Sequence, residues 1–273
     1  MNVALIGCGS IATILARAID AGEVGGVALK AVYDVKPDAA YKLVKQLKSN
    51  PRVVGTVAEL YENRDIKLII EAASQEAVRE YAVNIMKAGK DMMVMSVGAF
   101  SDEKLFDAVK SSAETMGTRL YIPSGAILGI DGIKSVMKAG IDEVLLTTRK
   151  PPKALRGVEY ISEQNLDLSE LRVPLIVFEG TAEEAVEAFP FSVNVAATLS
   201  LVGLGLKKTK VRVVADPSVT RNVHVIRVRG KAGEFVTEAH NVPSPDNPRT
   251  SYLAALSAIR ALKNLTENIV IGT

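Results

Sequence analysis

The run Gly7-Cys8-Gly9-Ser10-Ile11-Ala12 places small residues at its first, third and last positions, directly after the apolar segment Val3-Ala4-Leu5-Ile6 and at the start of a helix-patterned stretch. That spacing suits a backbone that must approach a pyrophosphate. Gly7 allows a tight turn, Gly9 lets the chain come close to the ligand, and Ala12 lets helix and strand pack closely. The helix N-terminus at Ser10 and Ile11 faces phosphate charge with the positive end of its dipole. Asp34 closes the next apolar run, 22 residues past Ala12, where an acid reaches the ribose hydroxyls. The acid favours NAD, while Lys36 nearby softens repulsion of a 2′-phosphate and leaves NADP open. The bland alternative is a plain glycine turn with Asp34 as a solvated strand end.

Proton-transfer candidates near neutral pH are few, because His224 and His240 are the only histidines. Within Asn222-Val223-His224-Val225-Ile226, strand alternation puts Asn222, His224 and Ile226 on one face. His224 reads either as an acid–base group or as a strand histidine hydrogen-bonded for structural reasons. His240, ahead of Asn241 at a strand end, reads as a surface or turn residue. Cys8 lies in the glycine turn with no histidine signal nearby and reads as a small filler. No His or Cys cluster has zinc-ligand spacing and no acidic run has a calcium-loop pattern, so no metal is expected.

The elements that must position these groups alternate at first. Strand-like runs at Leu29 to Asp34, from Val53, at Lys67 to Ala72 and at Asp91 to Ser96 are interleaved with helical patterns over Ser10 to Ala21, Ala39 to Ser49 and Gln75 to Ala88. This is how a parallel sheet with crossover helices reads. Beyond Pro123 the texture changes to β-rich runs at Glu143 to Thr148, Pro174 to Phe178, Val211 to Ala215, Val223 to Val228 and Glu234 to His240. Their alternation predicts a mainly antiparallel sheet with helices on one face, Val193 to Leu206 being the best helix candidate. Pro248 to Leu265 reads as a closing helix capped by Thr250 or Ser251.

The expected fold is therefore α/β: an N-terminal Rossmann dinucleotide-binding domain over residues 1–123, completed by the C-terminal helix within 246–273. A second α/β domain over 124–245 would carry the substrate, the catalysis and the dimer contact. A length of 273 residues leaves ample core for two domains. A net charge of +2, from 33 basic and 31 acidic residues without a basic stripe, argues against nucleic acid. No apolar run is long enough for a membrane helix. One cysteine and no signal-peptide pattern point to the cytoplasm.

Four segments in order carry a more specific resemblance: Pro123-Ser124-Gly125-Ala126-Ile127-Leu128-Gly129-Ile130-Asp131-Gly132, Phe189-Pro190-Phe191-Ser192-Val193-Asn194-Val195-Ala196-Ala197, Asn222-Val223-His224, and Pro243-Ser244-Pro245-Asp246-Asn247-Pro248-Arg249-Thr250-Ser251. With them the chain resembles the L-aspartate dehydrogenases nearly end to end. The resemblance implies NAD- or NADP-dependent oxidation of L-aspartate to iminoaspartate, which is hydrolysed to oxaloacetate and ammonia or feeds NAD biosynthesis, and it implies a homodimer. It also implies that Ala126 and Asn194 contact the nicotinamide end of the cofactor and that His224 is the catalytic histidine.

A dicarboxylate substrate needs fixed cationic or amide donors. Arg249 leads, beside Thr250 at the expected helix start, with Asn222 on the histidine's face. Alternatively, Arg249 is a solvated side chain at a capped helix. Ser124-Gly125-Ala126 reads as a backbone approach to ligand or as a flexible turn, and Asn194 as a carboxamide partner or a cap. The rivals are another two-domain Rossmann oxidoreductase, of homoserine dehydrogenase or dihydrodipicolinate reductase type, and a non-catalytic NAD(H)-sensing protein.

Overall fold

The structure, a computed structural model, describes residues 1–189, 193–245 and 247–272, with Pro248 and Arg249 described as backbone only. The chain forms two compact units, Met1–Gly125 together with Ala254–Ile271, and Ala126–Leu253.

The first unit runs β1 (Asn2–Ile6), α1 (Ser10–Asp20), β2 (Ala28–Tyr33), α2 (Pro37–Val44), β3 (Arg52–Val53), α3 (Ala58–Glu62), β4 (Leu68–Glu71), α4 (Gln75–Lys87), β5 (Asp91–Val94), α5 (Glu103–Met116) and β6 (Leu120–Tyr121). Its sheet has the order β3-β2-β1-β4-β5-β6, all parallel. Strand order reverses between β1 and β4, so the loops leaving these two strands flank the crevice where open α/β sheets bind ligands. Val3, Ala4, Leu5, Ile69 and Ile70 have no exposed surface, as strands covered on both faces require. On α1, Ala12, Leu15, Ala16 and Ile19 form the buried stripe.

Two sequence expectations shift here. The second helix begins at Pro37, whose preset φ suits a first helical position, and ends at Val44, short of Ser49. α5 was not anticipated, although Asp102 caps it by accepting from the amides of Lys104 and Leu105, and Gly117 ends it at φ 65°.

The second unit runs α6 (Ile130–Val136), β7 (Ile141–Lys150), α7 (Glu159–Glu163), β8 (Leu175–Thr181), α8 (Ala182–Ala188), α9 (Val193–Val202), β9 (Lys210–Ala215), β10 (Val223–Gly230), β11 (Gly233–His240), β12 (Pro243–Ser244) and β13 (Asn247–Ser251). Its main sheet has the order β11-β10-β7-β9-β8. Only the β7–β9 pair is parallel; the others are antiparallel. The even residues Val144, Leu146, Ile226 and Val228 point into a core shared with Ile133, Ala182, Ala196 and Leu199 of the helices. Ion pairs link neighbouring strands of the sheet, Lys210 on β9 to Glu143 on β7 at 2.7 Å and Arg212 on β9 to Glu179 on β8 at 2.9 Å.

The closing helix is α10 (Tyr252–Asn264). Asn247–Ser251, where Arg249 was expected at a helix start, instead pairs with β12 as a short antiparallel ribbon, and the Tyr252 amide donates to the Val242 carbonyl at 2.9 Å. The helix can start only after this pairing is complete.

Candidate active site

In the first unit, Gly7 sits at φ +91°, and a Cβ there would lie 2.7 Å from both the Ala72 carbonyl oxygen and the Ala73 Cβ. Its amide donates to the Tyr33 carbonyl at 2.8 Å, binding the turn to β2. Gly9 has the opposite character. Nothing lies within 4 Å of its hypothetical Cβ, and as N-cap of α1 it has no side chain to occupy the first-turn amides. Those amides have no partner within the helix. A crowded turn beside an open, side-chain-free helix start is the donor set and the shape that a pyrophosphate requires, so the residues fit a dinucleotide.

Gly7, Gly9, Asp34, Lys36, Ala73 and Ser74 line one cavity. Asp34 is locked to this turn: its Oδ2 accepts from the Cys8 amide and its Oδ1 from the Lys36 amide, both at 2.8 Å. Burial first, and the Asp34 charge second, push the Cys8 thiol up to about 12, which makes it inert as a nucleophile.

Glu71, at the end of β4, is fully buried and went unremarked in the sequence. Its Oε1 accepts from the Ala73 amide at 2.7 Å and the Ser96 hydroxyl at 2.8 Å, and its Oε2 from the amides of Ser96 at 3.0 Å and Met95 at 3.3 Å. Burial pushes the carboxyl up despite these donors. The carboxyl ties the loop after β4 to the loop after β5, and thereby sets Ala72 and Ala73 against Gly7. Glu71→Ala strands the Ala73 and Ser96 amides and the Ser96 hydroxyl, while the Met95 amide keeps the residue 71 carbonyl, at a cost of about 3 kcal/mol or more. A thermal melt followed by circular dichroism should show Tm falling by roughly 6–12 °C.

In the second unit, register pairs His224 on β10 with Thr148 on β7, and Nδ1 lies 3.0 Å from the threonine Oγ1. His224 is 7% exposed. Burial foremost, then the charge of Lys150, lower its pKa from the ordinary 6.5 to about 4. In the tautomer able to act as a base, Nδ1–H donates to Thr148 and Nε2 presents its lone pair. Thr148 was missed because its partnership depends on strand register, which period-2 patterning alone does not give.

Asn222 and Thr250 line one cavity together with Lys153, Thr220, Asn241 and Ser251. Asn241 is the unanticipated organiser. Its amide donates to the Asn222 carbonyl at 2.9 Å, its Nδ2 to the Ala126 carbonyl at 3.1 Å, and its Oδ1 accepts from the Ser251 hydroxyl at 2.6 Å. Ala126, Asn222 and Ser251 are thus joined through one buried residue, the first and last by its side chain and Asn222 by its backbone. Asn194 is exposed in the first turn of α9, its carbonyl accepting from the Thr198 hydroxyl at 2.8 Å. The Arg249 side chain lies outside the described residues. His240 is exposed and 2.8 Å from Glu238 Oε1. Among the described residues no group of three or more His, Cys, Asp or Glu could hold a metal, and no helix is long and apolar enough to cross a membrane.

The family profile "Homoserine dehydrogenase, NAD binding domain" matches residues 7–123, and "Aspartate dehydrogenase, C-terminal" matches residues 131–265. The L-aspartate dehydrogenase of Methanosarcina mazei is 48% identical over 273 residues, covering 100% of both chains. The chain belongs to the L-aspartate dehydrogenase family. The L-aspartate dehydrogenase of Nitrosopumilus maritimus is 42% identical, with coverage of 100% of this chain and 99% of that one. A crystal structure of aspartate dehydrogenase from Thermotoga maritima superposes with a TM-score of 0.78 at 30% identity, covering 100% and 99% of the two chains. The similarity to homoserine dehydrogenase is confined to the nucleotide-binding part, so that rival reading gives way to an aspartate dehydrogenase with NAD(P) as cofactor.

Proposed function

We propose that the enzyme oxidises the Cα–NH2 group of L-aspartate to iminoaspartate, which water converts to oxaloacetate and ammonia or which feeds NAD biosynthesis. The observation that carries this reading is the full-length identity of 48% with an L-aspartate dehydrogenase. When bound, NAD(P) supplies the acceptor for the hydride that leaves the substrate Cα. Gly7, Gly9, Ser10, Ile11 and Ala12 hold its pyrophosphate, Asp34 its ribose, and Ala126 and Asn194 its nicotinamide end. His224 Nε2 takes the amino proton as the C–N double bond forms and assists the water that attacks the imine carbon. Asn222, Arg249 and Thr250 hold the substrate carboxylates.

The test is the rise of nicotinamide absorbance on mixing the protein with NAD or NADP and L-aspartate, with homoserine as control. Reduction with L-aspartate and none with homoserine is expected. Tight NAD binding with no reduction by any amino acid would replace the reading with that of a sensor.

Asp34→Ser should shift the cofactor ratio. The carboxylate both repels a 2′-phosphate and steadies the Cys8 amide, so kcat/KM for NAD should fall by roughly tenfold relative to that for NADP. Steady-state assays with each cofactor measure it.

The working domains follow the two compact units, Met1–Gly125 with Ala254–Ile271, and Ala126–Leu253. Support for a homodimer comes from the outward face of the second sheet, where Val236 is 50% exposed and Leu145 and Val225 are only half-buried. Light scattering should return twice the chain mass. Residence in the cytoplasm fits the single cysteine.

A further inference from the structure

Lys150 ends β7 with no role in the reading above. The register pairs Thr148 with His224 and Arg149 with Val223, so Lys150 shares a face with Thr148 and continues the ladder towards Asn222. Its backbone is fixed on the other side, where Asp216 N–H donates to its carbonyl at 2.8 Å and Ala215 is its partner on β9. The ammonium has no hydrogen bond or ion pair among the described residues. The acid that follows its β9 partner is already used: Asp216 accepts from Arg149 Nε at 2.6 Å and from the Ser218 hydroxyl at 2.6 Å. On the Lys150 face, β10 offers His224 as its one titratable group, and β9 offers Val213 and Ala215, which have none. Burial lowers the affinity of Lys150 for its proton, and its charge in turn lowers that of His224.

A half-buried cation without a counter-ion, beside a base held deprotonated, is a site prepared for an anion. We infer that Lys150 binds a carboxylate of the substrate, and that filling this site raises the proton affinity of His224. Free enzyme then keeps the imidazole neutral, and the arriving dicarboxylate offsets the cation that weakens it as a base. The inference rests on the end of β10 being the substrate site.

The chain's two histidines make the test direct, because nitrogen-detected NMR titration follows both rings and His240→Gln assigns them. Succinate, which has the two carboxylates and no amine to oxidise, is the probe. In wild type, succinate should raise the pH at which His224 titrates. In Lys150→Met that pH should already be raised without succinate, and succinate should add little; Lys150→Arg should keep the wild-type pattern. KM for L-aspartate should rise roughly 10- to 100-fold in Lys150→Met, with KM for NAD(P) unchanged. No effect of succinate on wild-type His224, or equal effects in wild type and Lys150→Met, would overturn the inference. The wild-type arm stands even if Lys150→Met fails to fold. Because succinate is not turned over, these arms report on Lys150 whether or not L-aspartate proves to be oxidised.

Discussion

His224→Ala is expected to lower kcat for L-aspartate oxidation by roughly 10²- to 10⁴-fold, the usual worth of a positioned proton-transfer group, with little change in NAD(P) affinity. Steady-state kinetics together with a cofactor titration separate the two quantities. A wild-type turnover rate in this variant would sink the assignment. The same substitution should change how stability depends on pH. His224 titrates at about 4 in the folded protein against 6.5 ordinarily, so on acidification the unfolded chain takes up this proton first. Its contribution therefore falls as pH drops through the window from about 6.5 to 4, and is constant above it. Thermal melts of His224→Ala should show a shallower loss across that window than wild type, set against a general penalty for leaving the buried Thr148 hydroxyl without its partner.

Gly7→Ala should damage cofactor binding and folding together. Its φ of +91° is strained for any side chain, and the new methyl would meet a backbone oxygen and a Cβ at 2.7 Å, neither of which can swing away. The loops after β1 and β4 would have to part, at a cost of about 2–4 kcal/mol, and NADH affinity should fall by more than roughly 100-fold. Gly9→Ala is the matched contrast. Its surroundings are open and its φ of −79° suits alanine, so the melting temperature should hold while a methyl placed towards the ligand weakens NADH binding. Fluorescence titration with NADH, run beside thermal melts of both variants, measures this. Equal loss of stability in the two would contradict the distinction.

The parts of the site that the sequence made legible are those where one local stretch performs the whole task. The fingerprint from Gly7 to Ala12 needs only a strand before it and a helix after it, and both are there. His224 stood out by scarcity and by its face on an alternating strand. Thr148 and Asn241 were invisible because their importance comes from partners 76 and 115 residues away, brought close by register and by a turn. Glu71 was hidden for another reason. An acid at the end of an apolar strand resembles a solvated terminus, and only the converging amides of Ala73, Met95 and Ser96 reveal a buried one. The ribbon of β12 and β13 escaped because Pro248, Thr250 and Ser251 are also what a helix start uses. Local chemistry favoured the helix, and pairing with Pro243 and Ser244 decided for the strand.

The core of the first unit joins Val3, Leu15 and Val32, which are made early, to Ala258, Ile259 and Leu262 of α10, which are made last. On the ribosome, the sheet that binds the nucleotide emerges without one wall of its own interior, and everything from Ala126 to Leu253 must be synthesised before that wall arrives. The nascent chain therefore spends most of its synthesis with an apolar flank open to solvent, a surface suited to holding chaperones. Truncation just ahead of Tyr252 should make this waiting state permanent, yielding a chain that forms secondary structure and aggregates.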